Sequence, residues 1–181
     1  LTLTKTLIKE VINIITRNDK LMYIHNHFYN KNIYDYNIFK GIVPLKNNII
    51  NCSYININNF MDKISNKYIT GSSGCKMSHV ALLEKYKNAY SLYNQEYLFI
   101  IEDDAFFDID FQVYLEIALK SIIINDNKDI NDNNDDFDIL YLSVNLAKKE
   151  DAYKVQPFLL KVLHGKTTTA YIVNIKKINK I

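Results

Sequence analysis

Three adjacent carboxylates, Glu102-Asp103-Asp104, follow directly on the apolar run Tyr97-Leu98-Phe99-Ile100-Ile101. Carboxylates this close repel one another and cannot be buried as bare charges. They make physical sense where a strand ends at the rim of a sheet and the acids look into a cleft, because open α/β sheets bind ligands at their carboxyl rim. Strand side chains alternate, which predicts Glu102 and Asp104 on one side and Asp103 on the other. Glu102 and Asp104 are then paired oxygen donors suited to a hard divalent cation such as Mg²⁺ or Mn²⁺. A strand running into an acidic surface turn gives the same three residues; the hydrophobic lead-in favours a site.

A second candidate is Thr70-Gly71-Ser72-Ser73-Gly74-Cys75. It reads as a glycine-rich start to a helix reaching about Tyr90, capped by Ser72 or Ser73. Such a start lets the backbone approach a ligand closely, and a helix N-terminus favours an anion. It is neither a Walker A loop nor a dinucleotide fingerprint, and most such turns only begin a helix. The inward stripe is Cys75, Ser78 or His79, Leu82, Leu83, Tyr86 and Ala89. His79 reads first as a packed core histidine. Cys75 and His79 could share zinc at i, i+4, but no other cysteines are left to complete a structural site. Arg17, the only arginine, follows a short strand and is either a surface charge or a phosphate contact. The Asn- and Asp-rich stretch 125–136 lacks the glycine and closing glutamate of a calcium loop and reads as a solvated connection.

The elements that would carry these residues alternate in type. Val11–Ile15 reads as a buried strand, with Asn18 or Asp19 capping a helix whose apolar positions are Leu21, Ile24, His25, Phe28 and Tyr29. Tyr34–Val43 reads as a second strand. Residues 45–70 read as a loop with short elements, one of them a helix through Phe60, Met61 and Ile64. After the central strand, a helix is predicted from Phe111 to Ile124, with Val113 or Tyr114, Ile117, Leu119 or Ser121, and Ile124 inward. Phe137–Leu142, Phe158–Leu163 and Thr168–Val173 read as strands, residues 145–156 as a polar connection, and Ile175–Ile181 as an opening helix. Strand, helix, strand in this order predicts a largely parallel α/β sheet.

Composition narrows the classes. A chain of 181 residues, 48% hydrophobic, fills one α/β core, so one domain over 1–181 is expected. The net charge of +2 shows no bias toward nucleic acid or a membrane surface. No apolar run is long enough to span a bilayer. Cys52 and Cys75 read as free thiols. Heavy use of Asn, Ile, Lys and Tyr fits an AT-rich genome. The first residue is Leu1 and the last is Ile181, within the opening helix, so a fragment truncated at the C-terminus is expected and localisation is left open.

Three blocks occur in one order: Gly71-x-x-Gly74-Cys75-x-x-Ser78-His79, Ile100-Ile101-Glu102-Asp103-Asp104-Ala105, and Thr168-Thr169-Ala170-Tyr171-Ile172-Val173. Together they resemble glycosyltransferase family 25, the lipooligosaccharide galactosyltransferases of bacteria and collagen galactosyltransferase-like enzymes of animals and giant viruses. Val11-Ile12-Asn13-Ile14 leading to Arg17-x-Asp19-Lys20 and Tyr36–Gly41 are similar to the family's first two strands. The resemblance spans residues 9–178. It implies a GT-A type fold and inverting transfer of a hexose, galactose or glucose, from a UDP-sugar to a glycan or protein hydroxyl. It implies Mn²⁺ or Mg²⁺ held directly by Asp104, with Glu102 or Asp103 acting through water or on the ribose, and a possible late ligand in His164. It places Arg17, Gly71, Gly74, Ser78 and His79 at the donor. Lys20 stands where the family has Arg, which removes bidentate phosphate geometry. The family's further acidic motif, a source of the general base, would fall beyond Ile181, leaving the base unknown here. A catalytically inactive GT-A-like binding or scaffolding module, and an unrelated metal-dependent phosphotransferase, are the competing expectations.

Overall fold

A computed structural model of the chain describes residues 7–13, 17–43, 66–89, 96–108, 110–126, 137–142, 152–156, 159–162 and 169–180. Strand β1 covers Leu7–Asn13, helix α1 Asn18–Tyr29 and strand β2 Asn37–Lys40. Helix α2 covers Asn66–Tyr86, β3 Tyr97–Glu102 and α3 Phe111–Asp126. Strands β4 (Ile139–Tyr141), β5 (Ala152–Gln156), β6 (Leu159–Val162) and β7 (Ala170–Asn174) follow, and a 3₁₀ helix spans Ile175–Lys180.

The main sheet has the order β2-β1-β3-β7-β4. β1 is parallel to both β2 and β3, while β7 is antiparallel to β3 and β4. All strands but β7 therefore run one way, and the sheet is mixed but mostly parallel. β5 and β6 form a separate antiparallel pair.

β3 is central and buried along Tyr97–Ile101. Its odd residues, Tyr97, Phe99 and Ile101, pack with Leu7 and Val11 of β1, Ile24 and Phe28 of α1 and Leu119 of α3. Its even residues, Leu98 and Ile100, pack with Ile12, Leu82 of α2, Val173 and the 3₁₀ residues Ile175 and Ile178. Helices thus cover both faces, α1 and α3 on one and α2 on the other. Each fully buried Ile, Leu or Phe in these layers contributes about 1.5–3 kcal/mol by leaving water. Among the described residues no helix is long and apolar enough to cross a membrane.

Several elements depart from the sequence-based expectation. β1 begins at Leu7 rather than Val11, and Ile14 and Ile15 lie outside the described residues. Lys9 and Glu10 hide its start, because they are buried charges in a strand: Lys9 Nζ lies 2.7 Å from Asp35, and Glu10 Oε1 lies 2.8 Å from Lys85 Nζ and also accepts from Tyr86. Glu10 Oε2 has no hydrogen-bond partner among the described residues. β2 is shorter than Tyr34–Val43, because its one neighbour, β1, pairs only Glu10–Asn13 with it. Arg17, not Asn18 or Asp19, occupies the N-cap of α1 and makes no side-chain cap bond. In α3 the inward residues are Phe111, Leu115 and Leu119, whereas Val113, Tyr114 and Ile117 are exposed. The i, i+4 spacing of Phe111, Leu115 and Leu119 defines the stripe; Ser121 and Ile124 lie outside the described side chains. Residues 152–156, expected in a polar connection, form β5, paired antiparallel to β6 with a register irregularity between Lys154 and Gln156. The expected terminal helix is present over Ile175–Lys180, in 3₁₀ form. The expected helix at Phe60–Ile64 and the 127–136 connection lie outside the described residues.

The largest departure is the glycine-rich segment. Gly71-Ser72-Ser73-Gly74 is not a turn at a helix start; it lies inside α2, which begins at Asn66. No glycine among the described residues has positive φ, so no special backbone geometry is used there. Glycine within a helix costs about 1 kcal/mol relative to alanine, which tertiary packing outweighs. A Cβ added at Gly71 would meet nothing within 4 Å. Gly71→Ala is therefore expected to raise stability by about 0.5–1 kcal/mol. The urea midpoint measures it, and a lower midpoint would contradict the helical assignment.

Candidate functional site

The chain leaves β1 through α1 on one face of the sheet and returns to β3 after α2 on the other. β2 and β3 flank β1 on opposite sides. The carboxyl ends of β1 and β3 therefore frame a crevice where the strand order reverses, the place at which open α/β sheets bind ligands. The register pairs Ile12 with Glu102, so the next residues, Asn13 and Asp103, meet at that rim.

The end of β3 sends the three acids to different surroundings. Asp103 turns toward the α1 face and is buried. Asn13 Nδ2 donates to Asp103 Oδ2 at 2.9 Å, and Arg17 Nη1 lies 3.3 Å from Oδ1. Burial pushes the Asp103 carboxyl above the ordinary carboxylate value, opposed by Arg17, Asn13 and Lys20 and assisted by Asp104. Asn13 also reaches the Arg17 carbonyl at 3.4 Å, fixing the bend between β1 and α1.

Glu102 turns toward α2. Its Oε1 lies 3.2 Å from His79 Nε2 and accepts from the Cys75 thiol at 3.8 Å. His79 Nδ1 lies 2.7 Å from the Tyr171 hydroxyl, and the two rings stack 5.5 Å apart. Cys75, His79 and Glu102 each offer a donor atom within 4.8 Å of the others. Although Cys75 is an exposed residue, partial desolvation of its sulfur, then the charge and hydrogen bond of Glu102, push the thiol up to about 11. Burial likewise raises the Tyr171 phenol well above its ordinary value, with Tyr141, Glu102 and Cys75 adding to the rise.

Asp104 is exposed and makes no hydrogen bond or ion pair among the described residues. Its charge acts on both Cys75 and Asp103. The acids do not line the adjoining cavity of about 470 Å³, which begins at Ala105 and is walled by aromatics such as Phe106, Phe111, Tyr114 and Tyr141. The polar chemistry lies at the crevice, and the cavity is its apolar neighbour. The backbone between them is held by His27, whose Nε2 accepts from the Phe107 N–H at 2.9 Å.

Of the residues picked out by sequence, the structure gathers Arg17, Cys75, His79, Glu102 and Asp103 at one rim, with Asp104 at its edge. Gly71 is exposed one helical turn before Cys75. Ser78 is buried, accepts from the Ile42 N–H at 2.7 Å and donates to the Gly74 carbonyl at 2.7 Å, so its hydroxyl is taken up in joining α2 to the segment after β2. His164 and Cys52 lie outside the described residues. Sequence reasoning missed Asn13, Tyr171 and His27. Asn13 carried a signal, a polar residue inside the run Val11-Ile12-Asn13-Ile14. Tyr171 stood within the third block without any hint of its partner, and His27 carried no signal, since both partners are distant in sequence.

The model of one protein family, described as glycosyltransferase family 25 (LPS biosynthesis protein), matches residues 8–181. The chain belongs to that family. No curated protein matches it.

Burial, then the charge of Lys31, lowers the His27 pKa below its ordinary 6.5. The unfolded chain therefore binds the proton first as pH falls, and stability rises with pH across that window. The His27 contribution is complete above about pH 6.5 and is lost as pH drops through the lower folded value. His27→Gln keeps an acceptor for the Phe107 N–H without titrating. Urea midpoints between about pH 5 and 7 should slope less for this variant than for the wild type; equal slopes would remove His27 from the acid response.

Proposed function

Because the chain belongs to glycosyltransferase family 25, we propose that it transfers a hexose, galactose or glucose, from a UDP-sugar to a hydroxyl of a glycan or protein, with inversion and with a divalent cation, on a GT-A type scaffold. The observation that carries this reading is the gathering of Glu102, Asp103, Asp104 and Arg17 at the carboxyl rim where the strand order reverses.

The residues fit a hard cation. Asp104 is an exposed carboxylate with no competing partner among the described residues, and Glu102 keeps a second oxygen beyond the one that faces His79. These oxygen donors suit Mn²⁺ or Mg²⁺. Asp104 is assigned as the direct ligand and Glu102 as its partner. When bound, the cation neutralises charge on the departing diphosphate. Asp103 plays a different part: engaged by Asn13 and Arg17, it fixes the rim and the Arg17 guanidinium. Arg17 remains half-exposed, placed to meet a phosphate. His79 orients Glu102 rather than binding the donor, and the hydroxyl of Ser78 is engaged inside the fold.

Isothermal titration of UDP with and without Mn²⁺ tests the proposal. The wild type should bind more tightly with the metal, and Asp104→Ala should lose at least tenfold of that gain, about 1.4 kcal/mol. Equal heats in the two proteins, or no effect of metal, would overturn it. Metal-dependent UDP binding without turnover of any UDP-sugar would favour the inactive binding module instead. Cleavage of phosphate esters uninhibited by UDP would favour a phosphotransferase.

A further inference from the structure

We propose that Cys75, His79 and Glu102 form a binding site for a thiophilic transition-metal ion of the zinc class. The inference stands apart from the sugar-transfer reading, with which it shares Glu102 and its neighbour His79.

The donor atoms stand close to the spacing such an ion needs, all within 4.8 Å of one another. A tetrahedral ion bonded at about 2.1 Å to nitrogen and oxygen and about 2.3 Å to sulfur holds its ligand atoms roughly 3.3–3.6 Å apart. Here the imidazole nitrogen lies 3.2 Å from the carboxylate oxygen, and the sulfur lies 3.8 Å from the same oxygen. Cys75 and His79 stand one turn apart on α2, on the side that meets the end of β3. Sequence reasoning sought more cysteines to complete the set; the third donor comes instead from a strand.

The surroundings favour an ion over a mere contact. Tyr171 holds His79 from behind at 2.7 Å from Nδ1. Without an ion, Nε2–H donates to the Glu102 carboxylate and the Tyr171 hydroxyl donates to Nδ1; an ion would shift the ring proton, by way of solvent, to Nδ1, which then donates to the Tyr171 oxygen and leaves the Nε2 lone pair for the metal, as outer-shell partners arrange for metal-bound histidines. The site is open: Cys75 is exposed, and the His79 and Glu102 side chains are 15% and 27% accessible. Three protein ligands and a solvent-facing fourth position describe a zinc site that keeps room for water or an anion. Thiolate and imidazole select Zn²⁺ or Co²⁺ over Mg²⁺ and Mn²⁺. On binding, the thiol proton leaves to solvent and the sulfur–metal bond replaces it.

Titration of the untagged 181-residue chain with Co²⁺ tests the site. The wild type should develop a thiolate-to-cobalt charge-transfer band and intense tetrahedral d–d bands. Zn²⁺ should abolish both, and excess Mg²⁺ should leave them. Cys75→Ser should lose the charge-transfer band, and His79→Ala should weaken Co²⁺ binding at least tenfold. Circular dichroism confirms that each variant keeps the fold, and Cys75 is exposed enough for its variant to do so. Asp104→Asn should keep the band even where it loses metal-dependent UDP binding, which separates this site from the sugar-transfer reading. No band in the wild type, an unchanged band in Cys75→Ser, or loss of the band in Asp104→Asn would overturn the proposal.

Discussion

Like charges on neighbouring residues must be kept apart, and the pleat of β3 does this. The strand carries a buried apolar run to the rim, and its alternation gives the first two acids opposite faces and different partners. Asp103 meets Asn13 and Arg17 on one face; Glu102 meets His79 and Cys75 on the other. Asp104, just past the strand, is left to solvent. Three carboxylates therefore take three electrostatic roles. One is buried and braced, one is part-buried beside an imidazole, and one is open to a ligand. A one-residue slip of β3 against β1 would exchange the faces of Glu102 and Asp103 and leave both without these partners.

Much of this was legible in the sequence. The run Tyr97–Ile101 announced a strand buried on both faces, and alternation announced the parting of the acids. The reading of mixed α/β architecture held because Ile24 and Phe28, and Leu82 and Ala89, recur at helical spacing and are buried. What stayed hidden was long-range chemistry. Lys9 and Glu10 look like solvent residues, yet each is buried in β1 beside a partner far along the chain. Nothing local in Tyr171 says that its hydroxyl will meet a histidine. The glycines misled for a physical reason: glycine permits a turn but does not require one, and α2 runs through Gly71 and Gly74 without positive φ.

The strand reversal at β7 has the same character. Ala170–Asn174 reads as a strand from its composition, but its direction is fixed by what lies beside it. Both its neighbours, β3 and β4, run the other way. That reversal brings Thr169 to the acid rim, where its carbonyl accepts from the Glu102 N–H at 2.8 Å. It also brings Tyr171 behind His79. The side chains that orient Glu102 thus come from a helix before β3 in the chain and a strand after it.

Helix α2 grips the sheet at two places. Near its C-terminal end Lys85 and Tyr86 hold Glu10 of β1; farther back His79 and Cys75 hold Glu102 of β3. The six residue steps from His79 to Lys85 span about 9 Å of helix. A rod pinned to two neighbouring strands at that separation cannot swivel or slide without disturbing both carboxylates. Glu10 is fully buried, so withdrawing Lys85 and Tyr86 would leave its charge unpaired, which makes the distal pin costly to loosen. The acidic rim therefore inherits its stiffness from a charge pair that never faces it.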